Sequence, residues 1–252
     1  MSTLFLAWQD PAKRLWYPIG RLTRDQDIFR FEYTMGAQEA KDNCGFELLR
    51  SFPDLHETYE SVDLFPLFSS RTPNPSRPDY AQYLEWLNAP ADADDPIALL
   101  ARNGGRRVTD QFEVFPCPEP DAEGRYHIHF FAHGLHHFPT ASIARVQRLQ
   151  PSDRLLLAHD FQNPHDPYAL LLRTADAFEG DRHLVGYCPR YLLPDTFEVL
   201  TTCAIPPEVR VERVNLPPAP LQLRLLCNLT ACWPEGFTPC SGPMYQPIAS
   251  SG

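Results

Sequence analysis

The chain has 252 residues, of which 43% are hydrophobic and 12% aromatic, and its formal net charge is −10. This is enough apolar material for one large or two small folded domains, and it argues against a globally disordered chain. No stretch approaches the ~20 apolar residues of a membrane-spanning helix, so we expect no membrane partner, and the acidic balance excludes a polybasic nucleic-acid coat.

The first ~115 residues show the pattern of a small antiparallel sheet with short helices. Apolar or alternating runs predict strands at Leu4–Trp8, Tyr17–Leu22 and Phe29–Tyr33. Apolar residues at helical spacing predict one helix over Asp79–Leu87. Pro96 at a first helical position, with glycines after Asn103, predicts a second helix between them.

A polar segment with two prolines, Cys117–Gly124, is the best candidate for a domain boundary. We therefore divide the chain into residues 1–116, a linker 117–125, a second domain 126–215, and a C-terminal strand with a docking tail, 216–252. The second domain has one predicted helix, Ala141–Leu149. Its predicted strands, with those of the following segment, are Tyr126–Phe130, Arg154–Ala158, Tyr168–Leu172, Leu184–Tyr187, Val209–Val214 and Leu221–Leu226. The fold class predicted for the whole chain is α+β.

The seven cysteines are an odd number, scattered, and include no CxxC pair. With no basic region ahead of the first apolar run, this pattern predicts reduced, mostly buried cysteines in a cytoplasmic protein. Cys227, Cys232 and Cys240 are three conceivable zinc ligands, but their spacing fits no common zinc motif.

Charge and histidine are unevenly distributed. Between Tyr126 and Leu192 six arginines balance six acidic residues, and eight of the nine histidines lie there. An anion is therefore expected to bind in this window. The pair His127 and His129, followed by His133, is compatible with a metal site, although no carboxylate or cysteine stands beside them in the sequence.

Three motifs follow one another in the second domain: Gly134-Leu135 followed by aromatic residues, Asn163-Pro-His-Asp166 with Ala169-Leu170 shortly after it, and Val185-Gly-Tyr187. In this order and spacing they resemble the HIRAN domain family, over about residues 126–215. The resemblance implies a small β-barrel related to OB-folds, with one or two helices. It also implies binding of single-stranded DNA and capture of its 3′-hydroxyl end.

The resemblance assigns roles to eight residues. Phe138 and His137 stand where the family has base-stacking aromatics, and His136 where it has a phosphate-contacting arginine. Asn163 and Asp166 occupy the polar positions of the loop, with Asp166 accepting from the 3′-hydroxyl. His165 replaces a tyrosine, Tyr187 a histidine and Arg190 a lysine.

Four of these positions, and the neighbouring Gly186, also have a purely structural interpretation. Asn163 and Asp166 are residue types that cap turns, and Phe138 is a candidate core residue. Gly186 is suited to a close approach between strands, and Arg190 to a surface ion pair.

The N-terminal region more loosely resembles the small N-terminal subdomain of HipA-type kinases. The similarity rests on Trp8, Gly20-Arg-Leu22, Phe29–Tyr33, Leu64–Phe68, Arg71, Ala98–Ala101 and Gly104. It implies a docking module that contacts a partner protein, without a kinase core.

The sequence therefore predicts a non-enzymatic, cofactor-free module that binds single-stranded DNA and tethers a partner effector in bacterial DNA repair or defence. The alternative is a protein–protein adaptor, as in toxin–antitoxin systems, that has no nucleic-acid binding. A metal-dependent nuclease using the histidines is a third hypothesis. The sequence contains neither a G-x-S-x-G nor a Walker A motif.

Overall fold

A computed structural model describes residues 2–90, 93–107, 109–175 and 178–249. The chain forms two compact units. The first comprises the chain up to Tyr80, Asp94–Cys117 and the chain from Thr238 onward, and the second comprises Ala81–Ala93 and Pro118–Phe237. Within the described ranges, no helix has the length and apolar character needed to cross a membrane.

The first unit is built on a five-stranded antiparallel sheet with the order β4-β3-β2-β1-β5. Its strands are β1 (Ser2–Gln9), β2 (Trp16–Asp25), β3 (Ile28–Tyr33), β4 (Tyr59–Ser61) and β5 (Phe112–Pro116). The three strands predicted here are confirmed. Their alternating aromatics form the core, where the rings of Phe31 and Phe52 stack with centroids 4.0 Å apart.

Short helices accompany this sheet. They are α1 (Met35–Cys44), α2 (Pro66–Ser69) and α4 (Pro96–Asn103), while α3 (Tyr80–Trp86) belongs to the second unit from Ala81 onward. The α4 boundaries are as predicted, because the Asp95 side chain accepts a hydrogen bond from the Ile97 amide at the start, and Gly104 adopts φ 71° at the end.

The second unit contains a six-stranded antiparallel sheet with the order β6-β11-β10-β7-β8-β9. Its elements are β6 (Arg125–Phe131), α5 (Thr140–Val146), β7 (Arg154–His159), β8 (Leu170–Thr174), β9 (Leu184–Tyr187), α6 (Leu193–Thr202), β10 (Glu208–Val214) and β11 (Leu225–Cys232). The α+β class is thereby confirmed.

The sheet of the second unit is a curled half-barrel whose two edge strands meet at one point. His133, just after β6, and Tyr187, at the end of β9, form an antiparallel bridge. The His133 amide donates to the Tyr187 carbonyl at 2.9 Å, and the Tyr187 amide donates to the His133 carbonyl at 3.0 Å. The relation to OB-fold barrels stays a prediction.

Two strand predictions in this unit need correction. Leu221–Leu223 forms a short 3-10 turn, and the strand begins only at Leu225. Strand β8 begins at Leu170 and not at Tyr168, because the Tyr168 amide is bonded to the Asp166 side chain and the Ala169 amide to the Asp166 carbonyl. These bonds hold both residues in a turn.

The prediction that all cysteines are reduced is wrong for two of them. Cys203, just after α6, and Cys232, at the end of β11, form a disulfide bond with their Cα atoms 6.1 Å apart. They are separated by 29 residues in the sequence, so their spacing gives no sign that the fold joins them. Of the five cysteines outside this disulfide, Cys188, Cys227 and Cys240 are buried.

Gly186 is required where the sheet closes. Its φ is +139°, and a Cβ built there would lie 2.8 Å from the Ala132 Cβ and 3.2 Å from the His133 carbonyl oxygen. We predict that Gly186→Ala weakens the closure by about 2–4 kcal/mol, measured by native-state hydrogen exchange of the Tyr187 amide.

Gly124 provides the matched control. It has φ +72°, and a Cβ there would meet nothing within 4 Å, so Gly124→Ala should cost about 1 kcal/mol from backbone strain alone. Equal protection of the Tyr187 amide in Gly186→Ala and Gly124→Ala would contradict the steric argument.

Candidate nucleic-acid interface

Three segments converge where the sheet closes: residues 133–138 after β6, the loop 160–168 between β7 and β8, and residues 187–190, which begin at the last residue of β9. Besides the His133–Tyr187 bridge, Gly134 allows the first and third segments to approach each other closely. It has φ +69°, and a Cβ there would lie 3.1 Å from Tyr187 Cδ2 and 3.6 Å from His137 Cδ2. Both rings therefore lie over the glycine, which leaves no room for a side chain.

Asn163 organises the loop between β7 and β8. Its Oδ1 accepts hydrogen bonds from the amides of His165 and Asp166, each at 3.0 Å. Its Nδ2 donates to Asp160 Oδ2 at 3.1 Å. Asparagine is favoured at such positions because its side chain reaches the backbone two or three residues further along. The loop is thus held in one conformation by a single amide side chain.

Asp166 is buried, with 8% of the residue exposed. Its Oδ1 accepts from the Tyr168 amide at 3.0 Å, and its Oδ2 lies 3.1 Å from Arg190 Nε. Arg190 Nη1 also donates to the His165 carbonyl at 3.3 Å. Since a carboxylate has about four acceptor positions, these two bonds leave Asp166 able to accept from a ligand hydroxyl.

Tyr187 connects the first segment with the loop. Its hydroxyl donates to Asp160 Oδ2 at 3.0 Å, and its ring lies against Phe138 with centroids 5.5 Å apart. Burial, followed by the hydrogen bond and negative charge of Asp160, raises the pKa of the Tyr187 hydroxyl. The tyrosine is therefore neutral and fixed in place at physiological pH.

The exposed part of the site consists of imidazole rings. His136, His137 and His165 are all exposed, while Phe138 is half-buried. The rings of His136 and His137 lie against each other, with centroids 3.8 Å apart. Flat rings on a surface are the groups on which unpaired bases stack.

All eight residues singled out in the sequence lie on these three segments. Six of them belong to one network of contacts, in which His165 takes part through its backbone and the other five through their side chains. The six are Phe138, Asn163, His165, Asp166, Tyr187 and Arg190. Asp160 links Tyr187 to Asn163 within this network. His137 adjoins Tyr187 across Gly134, and His136 contacts His137. The structural interpretations also describe real contacts, because Asn163 caps a turn and Arg190 forms an ion pair. Capping and ligand binding do not exclude each other here.

Sequence reasoning missed two features of the site. Asp160 accepts bonds from both Tyr187 and Asn163, yet it lies outside the recognised motifs. The second feature is a set of four neighbouring aromatic side chains: His159, Phe161, Tyr168 and Phe197. The sequence indicates this set, because Phe161 and Tyr168 flank a polar, proline-containing loop. An aromatic side chain in such a loop is expected to be exposed, since the loop has little hydrophobic core.

The sequence places no carboxylate beside the histidines of β6, but the fold brings one to His129. Glu212 of β10 pairs with His129 Nδ1, and a register irregularity between Val211 and Arg213 occurs at this position of the strand. Nevertheless, within the described ranges no three histidine, cysteine or acidic side chains are grouped so that they could hold a metal ion. Cys232, one of the three cysteines considered as zinc ligands, is bonded to Cys203.

The Tyr187–Asp160 contact makes a testable prediction. Asp160→Asn should lower the pKa of the Tyr187 hydroxyl, because it removes the negative charge that disfavours the phenolate, while burial continues to raise it. The measurement is a pH titration by NMR with ring-labelled tyrosine. Asp153→Asn, which removes a carboxylate elsewhere in the unit, should leave Tyr187 unchanged. An identical Tyr187 titration in both variants would refute the assignment.

Comparison with known proteins agrees with the motif-based resemblance in the second unit. No curated protein matches the chain. A crystal structure of a protein from Lactobacillus plantarum is similar at 17% sequence identity and a TM-score of 0.32, covering 43% of this chain and 97% of that one. No comparison supports the HipA-like interpretation of the N-terminal region, which stays a prediction. Residues 126–230 match the HIRAN domain, a known DNA-binding module, and this match supports nucleic-acid binding by the chain.

Proposed function

We propose that the second unit binds single-stranded DNA and recognises its 3′ end, and that the chain acts as a binding module without catalytic activity of its own. The observation that carries the proposal is the convergence of ring faces, one carboxylate and one guanidinium at the closure of a sheet that matches a DNA-binding family.

The chemistry of the Arg190–Asp166 pair suits a strand terminus. The guanidinium is a donor for the last phosphodiester, and the carboxylate is an acceptor for the terminal 3′-hydroxyl. A 3′-phosphate would bring its negative charge against Asp166 and be repelled. The pair therefore discriminates between ends, while His136 is a further phosphate contact and Phe138, His137 and His165 offer ring faces to the last bases.

We further propose that bound DNA is presented to a partner protein or effector complex, in a repair or defence setting. The overall charge of −10 gives the chain little non-specific affinity for DNA, so the site itself has to supply the binding, and the same charge is an argument for the adaptor alternative. The adaptor alternative differs in one respect: it predicts no DNA binding even at 50 mM salt, where phosphate contacts are strongest.

The first test compares oligonucleotides that end in 3′-hydroxyl and 3′-phosphate, by fluorescence anisotropy at 50 mM salt. The unaltered chain should prefer the hydroxyl. Asp166→Ala should bind the hydroxyl end about ten-fold more weakly, since a hydrogen bond to a charged group is worth about 1.5–3 kcal/mol. Asp166→Asn should lose the discrimination against phosphate, because it keeps an acceptor and removes the charge.

The control is Glu235→Gln, which removes one exposed charge after β11 and should preserve end preference. Equal affinity of the unaltered chain for both ends would refute 3′-end recognition, and an absence of binding to either would favour the adaptor.

A second test adds a permanent charge at His136. His136→Arg places a guanidinium where the resemblance puts a phosphate contact, so it should bind single-stranded DNA about three- to ten-fold more tightly at 50 mM salt. His56→Arg, in the first unit, adds the same charge away from the site and should behave as the unaltered chain. Equal affinity of His136→Arg and the unaltered chain would contradict a phosphate contact at His136.

A further inference from the structure

Two of the most exposed aromatic side chains flank the loop that carries Asn163 and Asp166. Phe161 is 81% exposed and Tyr168 is 62% exposed. Single exposed apolar residues are ordinary on protein surfaces. These two stand out because each lies two residues from an end of the Asn163–Asp166 motif.

The two rings belong to one continuous aromatic surface. Phe161 lies against His159 with ring centroids 4.0 Å apart, His159 lies 5.8 Å from Phe197, and Phe197 lies 6.1 Å from Tyr168. We call these four residues the aromatic strip. It joins the end of β7, the loop and helix α6.

Two hydrogen bonds fix parts of the aromatic strip before any ligand arrives. His159 Nε2 donates to the Pro167 carbonyl at 2.6 Å, which fixes the imidazole against which Phe161 packs. The Tyr168 backbone amide donates to Asp166 Oδ1 at 3.0 Å. Because the His159 ring and the Tyr168 backbone are already fixed, these parts of the strip lose little additional entropy when a ligand stacks on it.

The aromatic strip is continuous with the proposed end-binding site. Tyr168 is bonded through its amide to Asp166, and Phe161 directly follows Asp160, which accepts from Tyr187. The four residues of the aromatic strip include no lysine or arginine, so the strip offers ring faces to bases and no permanently charged donor to phosphates. A DNA strand that reaches the end-binding site across the aromatic strip would therefore place its bases, and not its phosphates, against the strip.

We propose that the aromatic strip is a second subsite, on which the unpaired bases immediately 5′ of the terminal nucleotides stack. This inference rests on the proposed function, which it extends from the strand end to the adjoining nucleotides. Stacking would be tolerant of base identity, because every base offers a π-face.

The test measures the affinity of the full chain for two octathymidylates with identical 3′-hydroxyl ends. One is intact, and in the other the third to fifth nucleotides from the 3′ end are abasic, so that the number of phosphates is unchanged. The unaltered chain should bind the abasic strand about five-fold or more weakly. Phe161→Ala and Tyr168→Ala should each weaken binding of the intact strand. Each should therefore also reduce the ratio of the affinities for the intact and the abasic strand.

Phe178→Ala is the matched control. Phe178 is also exposed, at 53%, but its ring lies against the Arg145 guanidinium and not in the aromatic strip. This variant should distinguish the two strands as the unaltered chain does. All three variants remove exposed rings and should stay folded.

The outcomes separate the subsite from the proposed function. Equal binding of both strands by the unaltered chain would overturn the subsite, while a preference for 3′-hydroxyl over 3′-phosphate would leave end recognition standing. The subsite would also be overturned if both Phe161→Ala and Tyr168→Ala still bound the abasic strand as much more weakly than the intact strand as the unaltered chain does. An absence of binding to any strand would overturn the subsite and the proposed function together.

Discussion

The architecture of the candidate site depends on one pair of backbone hydrogen bonds, between His133 and Tyr187. His133 lies just after β6 and Tyr187 is the last residue of β9, the two edge strands of the six-stranded sheet, which are otherwise separated by four strands. The bridge forms only because Gly186 admits Ala132 at a distance that a side chain would block. Without it, residues 133–138 would not lie beside the Asn163–Asp166 loop.

Around the bridge, polar contacts hold the loop in a single arrangement. Asp160 accepts from both Tyr187 and Asn163, and Asp166 accepts from Arg190 and the Tyr168 amide. Asp166 is thus the carboxylate that pairs with the Arg190 guanidinium, while Asp160 is engaged by Tyr187 and Asn163. In the proposed function, the Arg190–Asp166 pair recognises one phosphate and one hydroxyl together at a strand terminus.

Local patterns allowed much of the fold to be predicted. β9 was predicted with its observed bounds, since Val185-Gly-Tyr187 is followed by Pro189, and α4 was predicted from Pro96 and Gly104. Helix α6 was missed, because Pro194 resembles an interruption although proline is tolerated in the first turn of a helix. Contacts between residues distant in sequence leave no local pattern: the Asp160–Tyr187 bond, the His129–Glu212 pair and the Cys203–Cys232 disulfide all depend on strand order.

We propose that residues 133–138, 160–168 and 187–190 form one surface for an unpaired strand. An amide NMR titration of the full chain with a short single-stranded DNA that ends in a 3′-hydroxyl tests this surface as a whole. Resonances of all three segments should shift together with one dissociation constant. Shifts confined to other surfaces, or in only one of the three segments, would contradict the proposed surface.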